Sequence, residues 1–310
     1  MLKSTRQHTL KAPVSISGIG VHSGAKATMT LKPAPASSGI NFIRTDVTDR
    51  PNIIPAQWDA VTDTRLCTVL ANQNGVSVST VEHLLSAFAA LGIDNAIIEI
   101  NGPEVPIMDG SAIQFLEKIN IVGLARQAAP RRALRIKKTV SCKDGDKETF
   151  LSPADEAYFG MEIDFATPLI GCQKYTHALT ESHYRSDIAP ARTFGFLQEV
   201  EHLKKIGLAR GGSLENAIVI DGDKVLNPEG LRFRNEFVRH KILDAIGDIY
   251  LAGARLIGHY HGVRAGHAMN NKILHTLFAQ PDAFEFVALG EKTHSPQVST
   301  RPYAETAIPA

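Results

Sequence analysis

Two residues four apart, His240 and Asp244, are the first in this chain whose types and spacing suggest chemistry. In a helix that spacing puts both side chains on one face about a turn apart, as a pair of metal ligands requires. Asp248 continues the row. The same spacing also makes an ordinary helix-surface pair, so by itself it leaves both readings open. His83 adds a second imidazole. Two imidazoles and one carboxylate are the three protein ligands of a hydrolytic zinc, with a fourth position left for water. A structural zinc would want a fourth protein ligand, usually sulfur, and none is offered nearby. Glu82 adjoins His83 and can act as general base toward an attacking water. It also completes Ser79-Thr80-Val81-Glu82, a capping-box pattern in which it would only satisfy a backbone N–H. Spacing does not separate these two roles. His267 opens a helical stretch after Gly266; protonated and oriented by Asp248, it would stabilise an oxyanion and protonate a leaving amine.

The elements that must position these residues are written twice along the chain. Alternating runs, TLKAPVSISG and KATMTLKPAP, read as strands joined by glycine turns. STVEHLLSAFAALG then places Val81, Leu84, Leu85 and Phe88 on one helical face, with Gly92 as the stop. A buried strand, NAIIEIN, a turn, PIMDG, and a second helix, SAIQFLEKI, follow. After Arg131 the order returns, through RALRIKKTVSC and EAYFGMEIDF to the helix FVRHKILDAIGDIYLAG, the strand ARLIGHYH and the helix GHAMNNKILHTLFA. Gly110 lies 27 residues after His83, and Gly266 lies 26 after His240. This pattern predicts an α+β fold of two similar domains from an internal duplication, each a β-sheet layer packed on a pair of helices. His83 and His240 would then be pseudo-twofold partners at the interface. The expected bounds are 1–125 and 133–286, with a tail over 287–310. GLARQAAPRR, around 123–132, reads as the linker; its Arg126, Arg131 and Arg132 either face water or touch an anionic surface. A β-α-β insert is expected at about 193–222, where Leu197, Val200, Leu203 and Ile206 form an apolar stripe at helical spacing.

Composition excludes several classes. Hydrophobic residues at 44% and charged ones at 21% describe a globular chain, not a disordered one. Lys plus Arg (33) nearly cancels Asp plus Glu (32), so no global field gathers nucleic acid or anionic lipid. Cys67, Cys142 and Cys172 are odd in number and unpaired in spacing, which fits a reducing compartment. No secretory signal and no apolar span of about 20 residues is visible. A cytoplasmic protein follows from these readings as the expectation. A monomer is expected separately, not from these readings.

TVEHLLSA, PIMDGSA, ARTFGF, FVRHKILDAIGD and GHAMNNKIL, with SGIGVHSG near residue 17, occur in an order that resembles the UDP-3-O-acyl-N-acetylglucosamine deacetylases, zinc enzymes of lipid A synthesis in Gram-negative bacteria. The resemblance runs to about residue 280. It implies that His83, His240 and Asp244 bind one zinc, with ferrous iron equally suited to the set. It implies that Glu82 is the general base and His267 the cationic acid supported by Asp248. Thr193 would help hold the oxyanion and Lys241 would contact substrate. Phe194 and the insert helix, Leu203 included, would line a passage for the acyl chain. The substrate class it implies is a UDP-linked acylated amino sugar, deacetylated to acetate and the free amine in the committed step of that pathway, with no more than transient contact with the inner membrane surface.

The apolar stripe of the insert has a plainer alternative, in which it only packs its helix onto the domain. Residues 169–187 match the family pattern poorly, and Arg264 stands where many relatives have lysine. Two competing functions keep most of these features: a zinc amidase acting on another acylated amine, and a non-catalytic nucleotide-sugar or lipid-binding module whose Glu82 is only a cap.

Overall fold

The computed structural model describes residues 4–290. Six helices occur among them: α1 (Glu82–Leu91), α2 (Ile113–Val122), α3 (Glu181–His183), α4 (Leu197–Lys205), α5 (Glu236–Tyr250) and α6 (His267–Phe278). The architecture is mixed α+β.

The first sheet has five strands in the order Val14–Ile19, Lys26–Pro33, Ala96–Ile100, Ile40–Arg44, Ile53–Pro55. Alternation in Lys26–Pro33 buries Ala27, Met29 and Leu31 and turns the residues between them outward. The second sheet has seven strands built around the long strand Arg255–Val263. Its first residues pair in parallel with Arg132–Ile136; beyond them it runs between Lys147–Ser152, antiparallel, and Ala157–Asp164, parallel.

The two sheets share a connectivity. In each, the strand that follows a buried helix lies antiparallel to the second strand of a hairpin and parallel to the first strand of a second antiparallel pair. Ala96–Ile100 has this place after α1, and Arg255–Val263 has it after α5. The inward side chains of both halves meet in a continuous core.

α1 is apolar nearly all round, and all ten of its residues are buried, as a helix without a polar face requires. α5 buries every residue except Arg239 and Lys241. Gly92 ends α1 in a left-handed conformation, φ 69°, and its N–H bonds the Phe88 carbonyl.

Two sequence expectations are corrected here. The stretch expected to be a linker, 123–132, is mostly a strand: Leu124–Pro130 pairs with Arg6–Leu10. Its Arg131 is buried, with Nε 3.0 Å from Asp94 Oδ2 and Nη2 on the Gly92 carbonyl at the end of α1. This arginine therefore faces neither water nor an anionic surface. The domain end expected at 286 falls inside the strand Phe284–Ala288, which completes the second sheet beside Arg132–Ile136. Most of the expected tail, 291–310, lies outside the described residues.

The insert consists of the strand Phe194–Phe196, α4 and the strand Ile218–Asp221, parallel to the first, with a short third strand, Lys224–Val225. No residue of α4 is buried.

Candidate active site

The site lies where the start of α1 meets the middle of α5. The helices approach so closely that a Cβ at Gly247 would stand 2.0 Å from the Glu82 carbonyl oxygen, so only glycine fits there. Across this contact the His83 and His240 rings lie 5.0 Å apart between centroids, nearly perpendicular. Their Nε2 atoms are 3.5 and 3.3 Å from one atom, Asp244 Oδ1. All three side chains are buried, and their ligand atoms lie within 4.8 Å of one another.

This donor set fits a metal ion. Asp244 Oδ1 is buried and accepts no hydrogen bond, a costly arrangement for a carboxylate unless a cation meets it. His240 Nδ1 faces the Ala191 carbonyl at 3.1 Å, so it carries the proton and leaves the Nε2 lone pair free. Burial pushes the His240 pKa down to about 4, which keeps the ring neutral, as a ligand must be. Burial opposes the charge on Asp244, yet His240 and Lys241 hold its carboxyl well below the usual range. Lys241 Nζ donates to Asp244 Oδ2 at 3.2 Å, the oxygen turned away from the imidazoles.

Glu82 is the first residue of α1 but does not cap it. The helix has no side-chain cap, and the Ser79 hydroxyl bonds the Pro103 carbonyl instead. Glu82 Oε2 accepts the Thr68 N–H at 3.1 Å, while Oε1 faces His267 Nε2 at 3.8 Å. Burial raises the pKa of this carboxyl; His267 and His83 oppose the rise, and Asp248 and Asp244 add to it. Two residues earlier Thr80 has φ 59°, a left-handed conformation that a β-branched residue rarely adopts. Its hydroxyl is held by the buried Glu104 carboxylate, which also accepts the N–H groups of His22 and Ser23.

His267 begins α6 and places Nδ1 2.8 Å from Asp248 Oδ2. Burial disfavours its cation, but Asp248 and Glu82 more than offset that, and its pKa is raised to about 9. These carboxylates favour the imidazolium at neutral pH.

Thr193, Glu82, His83 and Phe194 line a cavity of about 440 Å³ whose outer wall is Leu197, Val200 and Leu203 of α4. The Thr193 backbone is fixed by its N–H on the Gly110 carbonyl, 2.8 Å, and by its carbonyl on the Ile218 N–H. Phe194 stacks edge-on against Phe237 and stands 6.4 Å from the His240 ring. A second, apolar cavity of about 370 Å³ shares His22, Leu66 and Leu203 with the first and reaches Ile206.

The structure thus brings His83, His240, Asp244, Glu82, His267 and Asp248 together, sets Lys241 against Asp244, and puts Thr193, Phe194 and Leu203 around the adjoining cavity. Sequence reasoning missed Thr68, Glu104, Asn270 and the cavity-lining His22. His22 and Asn270 had a signal, since they lie in SGIGVHSG and GHAMNNKIL.

The UDP-3-O-acyl N-acetylglycosamine deacetylase family model matches residues 7–279. A UDP-3-O-acyl-N-acetylglucosamine deacetylase of Phenylobacterium zucineum is 50% identical over 285 residues, 92% of this chain and 97% of that protein. Its namesake in Shewanella violacea is 47% identical over 292 residues, covering 94% and 95%. One from Myxococcus xanthus is 50% identical over 284 residues, covering 92% and 90%. With this match over nearly its whole length, the chain belongs to the UDP-3-O-acyl N-acetylglycosamine deacetylase family.

Proposed function

We propose that the α1–α5 junction carries out the reaction of that family, hydrolysis of the N-acetyl group of a UDP-3-O-acyl-N-acetylglucosamine in lipid A biosynthesis, with each residue acting as follows. The chain is a metal-dependent amide hydrolase. His83, His240 and Asp244 hold the metal, which we assign as zinc. When bound there, zinc supplies Lewis acidity for the weakly electrophilic amide carbonyl and for the attacking water. Glu82, raised in pKa by burial, takes the proton of that water as it adds to the carbonyl carbon. Negative charge then develops on the carbonyl oxygen, within reach of the Thr193 hydroxyl and the His267 imidazolium. His267 gives its proton to the leaving nitrogen as the C–N bond breaks. Asp248 stabilises its charge until then. The products are acetate and the amine of the sugar, still acylated and still joined to UDP.

The observation that carries this reading is the pairing of Asp244 Oδ1, buried without a donor between two imidazole nitrogens, with Glu82 and an imidazolium beside it. The apolar cavities along α4 suit the 3-O-acyl chain, with Phe194 and Leu203 in contact with it. Lys241 is assigned to substrate contact as well as to Asp244.

The shared strand connectivity supports duplication of one ancestral unit, in which α1 and α5 each contribute an imidazole. Among the described residues no helix is long and apolar enough to cross a membrane. We assign the protein as a cytoplasmic monomer.

The test is acetate release from UDP-3-O-(3-hydroxyacyl)-N-acetylglucosamine by metal-stripped protein, before and after one equivalent of zinc. Activity that returns only with zinc is expected. Equal activity in both states would overturn the metal role, and folded, zinc-loaded protein that releases no acetate would overturn the substrate.

A further inference from the structure

Thr68 stands at the edge of the small sheet formed by Val61–Asp63, Val69–Ala71 and Ser77–Val78, and it is buried to within 2% of its surface. From that one residue two hydrogen bonds reach opposite sides of the reaction centre. Its backbone N–H donates to Glu82 Oε2 at 3.1 Å. Its hydroxyl donates to Asp248 Oδ1 at 2.5 Å, a direction fixed by chemistry because an ionised carboxylate can only accept. With its single proton committed there, the hydroxyl turns a lone pair toward His267 Nδ1, 3.3 Å away. The Nδ1–H thus sits between Asp248 Oδ2 and Thr68 Oγ1, and Nε2 is left facing Glu82 Oε1.

The other oxygen of Asp248 also accepts Asn270 Nδ2 at 2.8 Å, and the Asn270 carbonyl oxygen in turn accepts the Tyr260 hydroxyl. Tyr260 and Asn270 are both fully buried. Asp248 therefore has a donor on each oxygen besides the histidine, and Thr68 is the one on Oδ1.

We infer that Thr68 is a positioning residue of the deacetylation: through its hydroxyl it fixes the rotamer of Asp248, and so the ring plane of His267, while its N–H leaves only Glu82 Oε1 turned toward the reacting water. The inference rests on the roles proposed above for Glu82, Asp248 and His267. Thr68 lines neither cavity, and its hydrogen bonds go to Glu82, Asp248 and His267 rather than to His83, His240 or Asp244, so its effect should appear in turnover and not in binding. It also spans the two halves of the chain, since Glu82 belongs to α1 whereas Asp248 and His267 belong to α5 and α6.

Thr68→Val tests it, because valine keeps the shape and the N–H and removes only the hydroxyl. A lost hydrogen bond to a charged group corresponds to a fall in kcat of roughly 10- to 100-fold. KM should stay within about twofold, with one zinc still bound per chain. Thr68→Ser should recover most of the rate. Steady-state kinetics in a cycle with Asp248→Asn gives the decisive comparison. If Thr68 acts through Asp248, valine causes no further loss once Asp248 is asparagine. An equal loss in both backgrounds, or a loss matched by missing zinc, would mean a structural role only and would overturn the inference. So would a fully active Thr68→Val beside an impaired Asp248→Asn. A fully active Asp248→Asn would instead remove the proposed acid pair itself. Should valine fail to fold, Thr68→Ala in the same cycle gives the same readings.

Discussion

The α1–α5 junction and the α4 wall border the same cavity but are built in opposite ways. At the junction Glu82, His83, His240, Asp244 and Asp248 are buried and His267 is only 10% exposed at its side chain, and Asp248 and His267 are each held by two or more hydrogen bonds. On α4 no residue is buried, Ile206 just beyond its end is 59% exposed, and the apolar face looks into a cavity rather than a core. Groups that must hold angles to a reacting atom sit on helices that cannot shift without breaking the core. Groups that only shelter a chain of methylenes sit on an element that can.

Exchanging the charge state of the junction should give the largest effect. Glu82→Gln removes the proposed base while keeping the shape, and kcat is expected to fall by about 100- to 10,000-fold with the thermal transition nearly unchanged. A residual rate near wild type would leave the junction without its base.

Alanine truncation sharpens the contrast in stability. Leu84 in α1 is fully buried, so Leu84→Ala should lower the unfolding free energy by about 2–5 kcal/mol, whereas Leu203→Ala in α4 should change it by less than about 0.5 kcal/mol. Urea titration measures both, and similar losses would show that α4 is part of the core.

Titration separates the regions again. The proposed acid His267, with its pKa raised to about 9, is charged below that pH and loses its proton above it. Turnover should therefore fall as pH rises through about 9, approaching tenfold per unit. Below this limb, activity should decline as the raised Glu82 carboxyl becomes protonated. Leu203→Glu, outside the proton network, should leave the upper limb in place. If the limb moves with Leu203, the two regions are coupled.

The smallest expected effect belongs to recognition. Leu203→Glu should raise KM for a long-chain substrate by about tenfold, equivalent to part of one buried aliphatic side chain, and leave a short-chain substrate within about twofold. Equal shifts for both would count against the acyl passage.

Much of this was legible in the sequence, for reasons that differ by element. α1 and α5 showed themselves through apolar periodicity, and Gly92 through its place after the last apolar residue. The i,i+4 pair His240–Asp244 was visible because helical spacing is local. Residues 124–130 read locally as part of a linker because their strand pairing is with residues 6–10, more than a hundred positions away, and LARQAAP shows no apolar alternation. Thr68 and Glu104 left no trace for the same reason: their partners are distant and their motif is only a fold. The capping-box reading of Glu82 was reasonable locally, but tertiary contacts overrode it, since the carboxylate found the Thr68 N–H instead of its own helix end.

The absent side chain at Gly247 has a broader meaning. At this point the gap between α1, which carries the proposed base, and α5, which carries two of the proposed ligands, is set by main chain against main chain. Substitutions in the proposed acyl wall on α4 therefore leave this main-chain spacing as it is. Any replacement at 247, even by alanine, would retune the apparatus itself.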